Sequence, residues 1–313
     1  MKLSATILCV GSLLLAGIAN AQTPSPPCDR DCLKKHLDTY LGAIAAHKPE
    51  AGNLWVGFRQ TENAIAIPEG QGAWQNVTGL GSIQRQYFDP VQHTAGYFGT
   101  VMMGQEEAVV GIRLKVQWDK ATEAEWWISR KGDPGITGEP GKTPFDLEKL
   151  RASLPQQRVV AKEERMQREA LPAIVNTYFD GITSHNSYLV KGHQGCSRYE
   201  NGFPTFDSPM TKDMDLGNNG KTDCRTQGNF GVAIVTIRDY WLVDEEAQVV
   251  MMSGMFRRDP KNEKRRNALM ELFHLDHGKI RSVHASFYYA PEDRPVPNWP
   301  PYDGLFPLPA SYK

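Results

Sequence analysis

The chain has 313 residues, with 35 lysines and arginines against 36 aspartates and glutamates, for a formal net charge of −1. The two signs are well mixed, so no basic face is set aside for nucleic acid or anionic lipid, and a nucleic-acid partner is excluded from the reading. By length the chain should fold as about two domains, each large enough to bury its own core.

Residues 1–21 carry Lys2, an apolar run from Ile7 to Ile18 and the small-residue end Ala19-Asn20-Ala21, the pattern of a secretory signal peptide cleaved after Ala21. No later apolar run approaches the roughly 18 residues needed to cross a bilayer, so no membrane anchor is expected. The expected location is secreted or periplasmic. In that oxidising setting Cys28, Cys32, Cys196 and Cys224 are expected to form disulfides. Pairing Cys28 with Cys32 and Cys196 with Cys224 closes two local loops at modest entropic cost. Asn76-Val77-Thr78 is a glycosylation sequon that matters only in a eukaryotic source.

From Cys32 to His47, Leu33, Leu37, Tyr40, Leu41 and Ile44 recur at helical spacing and form one apolar stripe. Leu171, Ile174, Val175, Tyr178, Phe179 and Ile182 repeat the stripe. Tyr40 and Tyr178, His47 and His185, Glu62 and Glu200, and Asn63 and Asn201 are each 138 positions apart. Four identities at one offset under one stripe indicate an internal duplication.

After each helix the period changes to two. Strands are predicted over 108–118 and 122–130 around a turn at Asp119-Lys120, and over 241–246 and 248–257. A further hairpin joins 268–275 to 280–289 through Asp276-His277-Gly278. The predicted fold class is α+β: two tandem cone-shaped modules, each an N-terminal helix packed on a strongly curved antiparallel sheet that leaves a pocket at its open end. Predicted boundaries are 28–130 for the first module, 131–164 for a linker with a short helix over 145–153, 165–290 for the second module, and 291–313 for an extended Pro-rich tail.

This order of elements, with a tyrosine on the first helix and a Glu-Asn pair after it, resembles the nuclear transport factor 2 superfamily, which includes ketosteroid isomerase and the SnoaL-like polyketide cyclases. The segments Cys28-Asp29-Arg30-Asp31-Cys32-Leu33, Gly195-Cys196-Ser197-Arg198-Tyr199-Glu200-Asn201-Gly202, Ile237-Arg238-Asp239 and Val243-Asp244-Glu245-Glu246 resemble an uncharacterised secreted family common in fungi. The isomerase resemblance implies roles in the second module. Tyr178 matches its tyrosine donor, Glu271 its protonated carboxylic acid, and Glu200 falls near its general base. The segment 278–287 is similar to the final isomerase strand, which implies that Val283, Ala285 and Phe287 face the cavity with Asn201 nearby.

The chemistry is sound in itself. Cofactor-free proton transfer needs a base near an acidified C–H and donors aimed at the oxygen that gains charge. Two carboxylates in one apolar hollow do not both ionise easily, so one acts as base and the other as neutral donor. Arg198 and Arg59 stand close by in sequence and offer a structural alternative, pairing with Glu200 and Glu62. In the first module Tyr40 and Glu62 recur, Leu114 is expected to match Glu271, and Trp74, Tyr97, Phe98, Trp126 and Trp127, with His93 nearby, are candidate walls for a flat apolar ligand.

No cofactor is expected, since there is no Gly-rich phosphate loop and no nucleophile elbow. No metal site is expected either. His274, His277, His284 and Asp276 read as exposed hairpin residues, and Asp244-Glu245-Glu246 as a solvated turn without calcium-loop spacing. The functional expectation is a secreted lyase or isomerase using general acid and base on a small apolar molecule, aromatic ones included. The alternative is a non-catalytic binding protein for such a molecule or for a protein partner. An oligomer is compatible with either.

Overall fold

The computed structural model describes residues 28–206, 222–229, 232–258 and 265–291. The signal segment and the tail beyond Pro291 lie outside the described residues. The first module opens with α1 (Arg30–Ala45), followed by β1 (Leu54–Glu62), β2 (Ile65–Ile67), the short α2 (Ala73–Asn76), β3 (Gly79–Asp89), β4 (Thr94–Met103), β5 (Glu106–Gln117) and β6 (Lys120–Ser129). A connection containing α3 (Leu147–Ala152) leads to the second module. Its elements are α4 (Ala170–Thr183), β7 (Gly192–Glu200), β8 (Phe203–Pro204), β9 (Val232–Asp244), β10 (Val249–Arg258), β11 (Arg265–Asp276) and β12 (Lys279–Pro291).

Each helix buries the stripe read from the sequence. Asp29 caps α1 by accepting from the Cys32 N–H at 2.9 Å, and Leu33, Leu37, Tyr40, Leu41 and Ile44 are all buried. Both helices end through a left-handed histidine, His47 and His185, 138 positions apart.

The sheets have the orders β2-β1-β6-β5-β4-β3 and β8-β7-β12-β11-β10-β9. They are antiparallel except at one place in each: β1 runs parallel to β6, and β7 parallel to β12. The expected purely antiparallel meander is corrected there. The last strand of each module inserts between its first strand and the hairpins, a long-range pairing with no local sequence signal. The duplication is visible at the level of single bonds. The Asn63 amide donates to the Ile128 carbonyl and accepts from the Ile128 N–H, while Asn201 does the same with Phe287.

Two disulfides, Cys28–Cys32 and Cys196–Cys224, join the expected pairs. Such bridges belong to an oxidising compartment, and among the described residues no helix is long and apolar enough to cross a membrane.

The modules are not separate beads. The face of each sheet turned away from its own helix packs against the other, in a core containing Tyr87, Phe98, Trp127, Leu242, Met251 and Met270. A side chain at Gly96 would strike Met251 Sδ at 2.7 Å, so the close approach depends on that glycine. The junction is clamped by exchanged ion pairs. Arg30 of α1 donates to Asp244 of the second module at 2.6 and 3.1 Å, and Arg168 donates to Asp89 of the first at 2.7 and 2.5 Å. Each fully buried aspartate also accepts a backbone N–H from across the junction, Asp244 from Phe88 and Asp89 from Val243. Asp244 is therefore not part of a solvated turn, as its acidic neighbours led one to expect; it is a buried side chain whose hydrogen bonds join two modules.

Candidate functional site

Strand register brings the site together. Glu200 on β7 lies opposite Ala285 on β12, which lies opposite Glu271 on β11, so these three form one row across the second sheet. Arg198 precedes Glu200 by two residues and shares its face. Its guanidinium spans the row. Nη1 donates to Glu200 Oε1 and to Thr205 Oγ1 at 3.0 Å, and Nη2 donates to Glu271 Oε1 at 2.9 Å. Tyr178, delivered by α4, also hydrogen-bonds Arg198. Tyr289 donates to Glu200 Oε2 at 3.4 Å. Thus Tyr178, Glu200 and Glu271 do converge, and the group at their centre is Arg198.

All of these groups are withdrawn from water: Glu271 and Tyr178 are 0 % exposed, and Arg198 is 2 %. Phe179, Phe273, Phe287 and Val283 belong to the surrounding apolar cluster. Burial pushes the Glu271 carboxyl up to about 7, against the pull of Arg198 and with a further push from Glu200. Burial likewise lifts the Tyr178 hydroxyl well above the usual phenol value, so it remains a hydrogen-bond donor. Glu271 Oε2 and Arg198 Nε have no hydrogen-bond partner among the described residues. An acceptor and a donor left open in an apolar interior are places where a ligand's polar atoms gain the most.

The side chains of β12 alternate between two faces. Val283, Ala285 and Phe287 face the module interior, whereas His284 and Ser286 face the junction, where Ser286 donates to the Trp127 carbonyl at 2.8 Å. Asn201 is placed by its two bonds to Phe287 and serves the fold.

The first module is filled where the second holds charge. Glu62, Trp126, Ile112 and Tyr97 form its corresponding row. Ile112, and not Leu114, therefore stands where Glu271 does, and Trp126 replaces Ala285. Gln60 replaces Arg198: it accepts from Tyr40 Oη at 2.7 Å and from Trp74 Nε1 at 3.1 Å, and Tyr40 in turn accepts from Trp126 Nε1 at 2.8 Å. Tyr97 donates to the Ile83 and Thr100 carbonyls. The polar atoms of this aromatic cluster find partners within the module and its rings meet edge-on or tilted, so the expected ligand-binding hollow is corrected to a core. Phe98 and Trp127 point the other way, into the junction. His93 is a left-handed turn residue whose carbonyl accepts from Val116. Glu62 accepts from Gln60 and from the Ala73 N–H at the start of α2, while Arg59 pairs with Glu123.

The histidines also differ from expectation. His277 is exposed, but His274 and His284 are buried at 1 % and 2 % because β11 and β12 are covered by the first module. His284 Nε2 donates to the Ser153 carbonyl at 2.8 Å, and its ring stacks on Tyr199. Burial holds His274 down at about 3 and His284 at about 4, so both are neutral. His284 borders a 220 Å³ hollow that also touches Ser153, Ser197 and Arg281, and a 670 Å³ cleft lies at the junction beside Arg30, Phe88 and Arg168. Neither contains Glu271.

Sequence reasoning missed Arg198 as the centre of the site. The signal was present: Arg198 and Glu200 alternate onto one face, and the matching Gln60 is neutral.

Residues 164–287, under half of the chain, are similar to a family described as "Domain of unknown function (DUF8021)". No curated protein matches the chain. Among solved structures, one described as a candidate ketosteroid isomerase from Kribbella flavida DSM 17836 is similar at 15 % identity, covering 44 % of this chain and 96 % of its own, with a TM-score of 0.28. An NTF-2-like protein of unknown function from Burkholderia xenovorans LB400 has 12 % identity, coverage of 41 % and 95 %, and a TM-score of 0.28. A de novo designed protein with a curved β-sheet has 12 % identity, coverage of 33 % and 89 %, and the same TM-score of 0.28.

Proposed function

We propose that the second module performs cofactor-independent proton transfer, as a lyase or isomerase, on a small and largely apolar molecule, and that the first module is its scaffold. The observation that carries this reading is Glu271: a wholly buried carboxyl, poised at about 7, with one oxygen that has no hydrogen-bond partner among the described residues and with Arg198 and Tyr178 beside it. A group poised near neutrality can both take and return a proton. In this scheme Glu271 accepts a proton from an acidified C–H. Arg198 and Tyr178 donate to the oxygen on which charge accumulates. The proton returns to another carbon in an isomerisation, or the electron pair expels a leaving group in an elimination. Glu200 is reassigned from base to positioning residue, because Arg198 and Tyr289 occupy its oxygens. The signal pattern and the disulfides together support the reading of a secreted protein.

The same pairing of Glu200 favours a second reading, a binding module without turnover. The two separate on isotope exchange. Small molecules extracted from freshly purified protein are returned to it in deuterated water and weighed by mass spectrometry. The catalytic reading expects deuterium uptake that falls by about 10²–10⁴-fold in Glu271→Gln and persists in Glu62→Gln. Retention without uptake leaves the binding reading, and uptake unchanged in Glu271→Gln removes the assigned mechanism.

A further inference from the structure

The start of α1 carries a second cluster of reactive groups, far in sequence from Arg198. Cys32 and His36 are four residues apart on one side of α1, and Cys28, just ahead of the helix, is bridged to Cys32. The two sulfurs and a ring nitrogen of His36 lie within 4.8 Å of one another. The two bridges of the molecule are unequal. Cys28–Cys32 closes a separation of 4 residues and is half-buried, whereas Cys196–Cys224 spans 28 and is buried. A partly exposed bridge closing a short loop gains least from the chain-entropy effect and is the more accessible to an attacking thiolate.

His36 is already oriented as metal-binding histidines are. Its Nε2 donates to Asp119 Oδ1 at 2.9 Å, a contact that in the neutral ring leaves the lone pair on Nδ1. Among the described residues that atom meets the Asn53 amide at 3.5 Å, the outer limit of a hydrogen bond.

We propose that the Cys28–Cys32 bridge masks a thiolate–histidine site for a divalent cation of the zinc class, opened by reduction. A dithiol supplies two electrons and two protons to the S–S bond and leaves as its own disulfide. Each freed thiol then gives up its proton as the cation takes Cys28 Sγ, Cys32 Sγ and His36 Nδ1, with water in the fourth position. The N–H groups at the start of α1 favour the thiolate form. A reading that pairs all four cysteines passes over this site, because it exists only in the reduced chain.

The test uses the full chain, mildly reduced with a phosphine and titrated with Co²⁺, with alkylation and mass spectrometry to report which cysteines are free. Expected are alkylation of Cys28 and Cys32 with Cys196 and Cys224 still bridged, one Co²⁺ per chain with the intense absorption of a tetrahedral thiolate site, its displacement by Zn²⁺, and no such absorption before reduction. His36→Gln should weaken binding by at least about tenfold. Asp119→Asn, at an exposed side chain that leaves the fold intact, should weaken it severalfold. Simultaneous opening of both bridges, cobalt absorption no greater than in the Cys28→Ser/Cys32→Ser protein, or binding unchanged in Asp119→Asn and His36→Gln would each overturn the proposal.

Discussion

Removing one partner from a buried charge cluster costs more than the cluster contributes, because the remaining charge stays out of water. Arg198 stands between two buried carboxylates, so Arg198→Met should destabilise the chain by about 3–5 kcal/mol in chemical denaturation, while Glu271→Gln, which keeps the shape and still accepts from Arg198, should cost far less. The two kinds of buried titrating group act in opposite directions with pH. His274 and His284 have folded values of about 3 and 4, below the ordinary value of about 6.5. Their contribution is complete above that ordinary value and is lost as pH falls towards the folded ones, at about 1.4 kcal/mol per unit for each ring. Glu271 is raised to about 7; its contribution is complete below the usual glutamate value of about 4.3 and is lost as pH rises through 7. Stability followed against pH should therefore show a flattened acid limb in His274→Leu and a flattened neutral limb in Glu271→Gln.

At the scale of elements, each module is tied by an asparagine in the left-handed conformation, Asn63 or Asn201, which follows the first long strand and brackets the last. Asn63→Ala and Asn201→Ala each leave a strand N–H and C=O without their partners, a loss of about 2–4 kcal/mol in urea unfolding, and the duplication makes the two losses similar. Both helices were legible because an apolar stripe at period 3.6 is a local pattern. Strands β5, β6 and β10–β12 were legible by alternation, and the disulfides by loop length. The parallel insertion of β6 and β12 was not, since nothing along β1 or β7 names a partner more than sixty residues away. The same limit misplaced Leu114. The 138-residue offset holds through β1 and β7, but unequal loops change it later, so Glu271 aligns with Ile112 only once cross-strand register is known. Tyr178, Glu200 and Glu271 could be named from the sequence, but their meeting at Arg198 depends on Ala285 standing between two strands where the first module has Trp126.

For the whole molecule, the two sheets pack as halves of a pseudo-symmetric dimer joined in one chain. Arg30 with Asp244 and Arg168 with Asp89 are the same contact seen from either side, while Gly96 opposite Met251 shows that the halves have diverged into a fitted pair. Because the junction core is continuous, calorimetry should give a single unfolding transition, and Asp89→Ala or Asp244→Ala should destabilise both modules together by about 3–5 kcal/mol. Two separated transitions would show that the modules stand independently. The catalytic reading depends on the proton carried inside this assembly by one carboxyl, and the titration of Glu271 measures it directly. In the intact chain with ¹³C-labelled glutamate carboxyls, the signal abolished by Glu271→Gln should titrate with a midpoint near 7; a midpoint near the ordinary glutamate value of about 4.3 would contradict it.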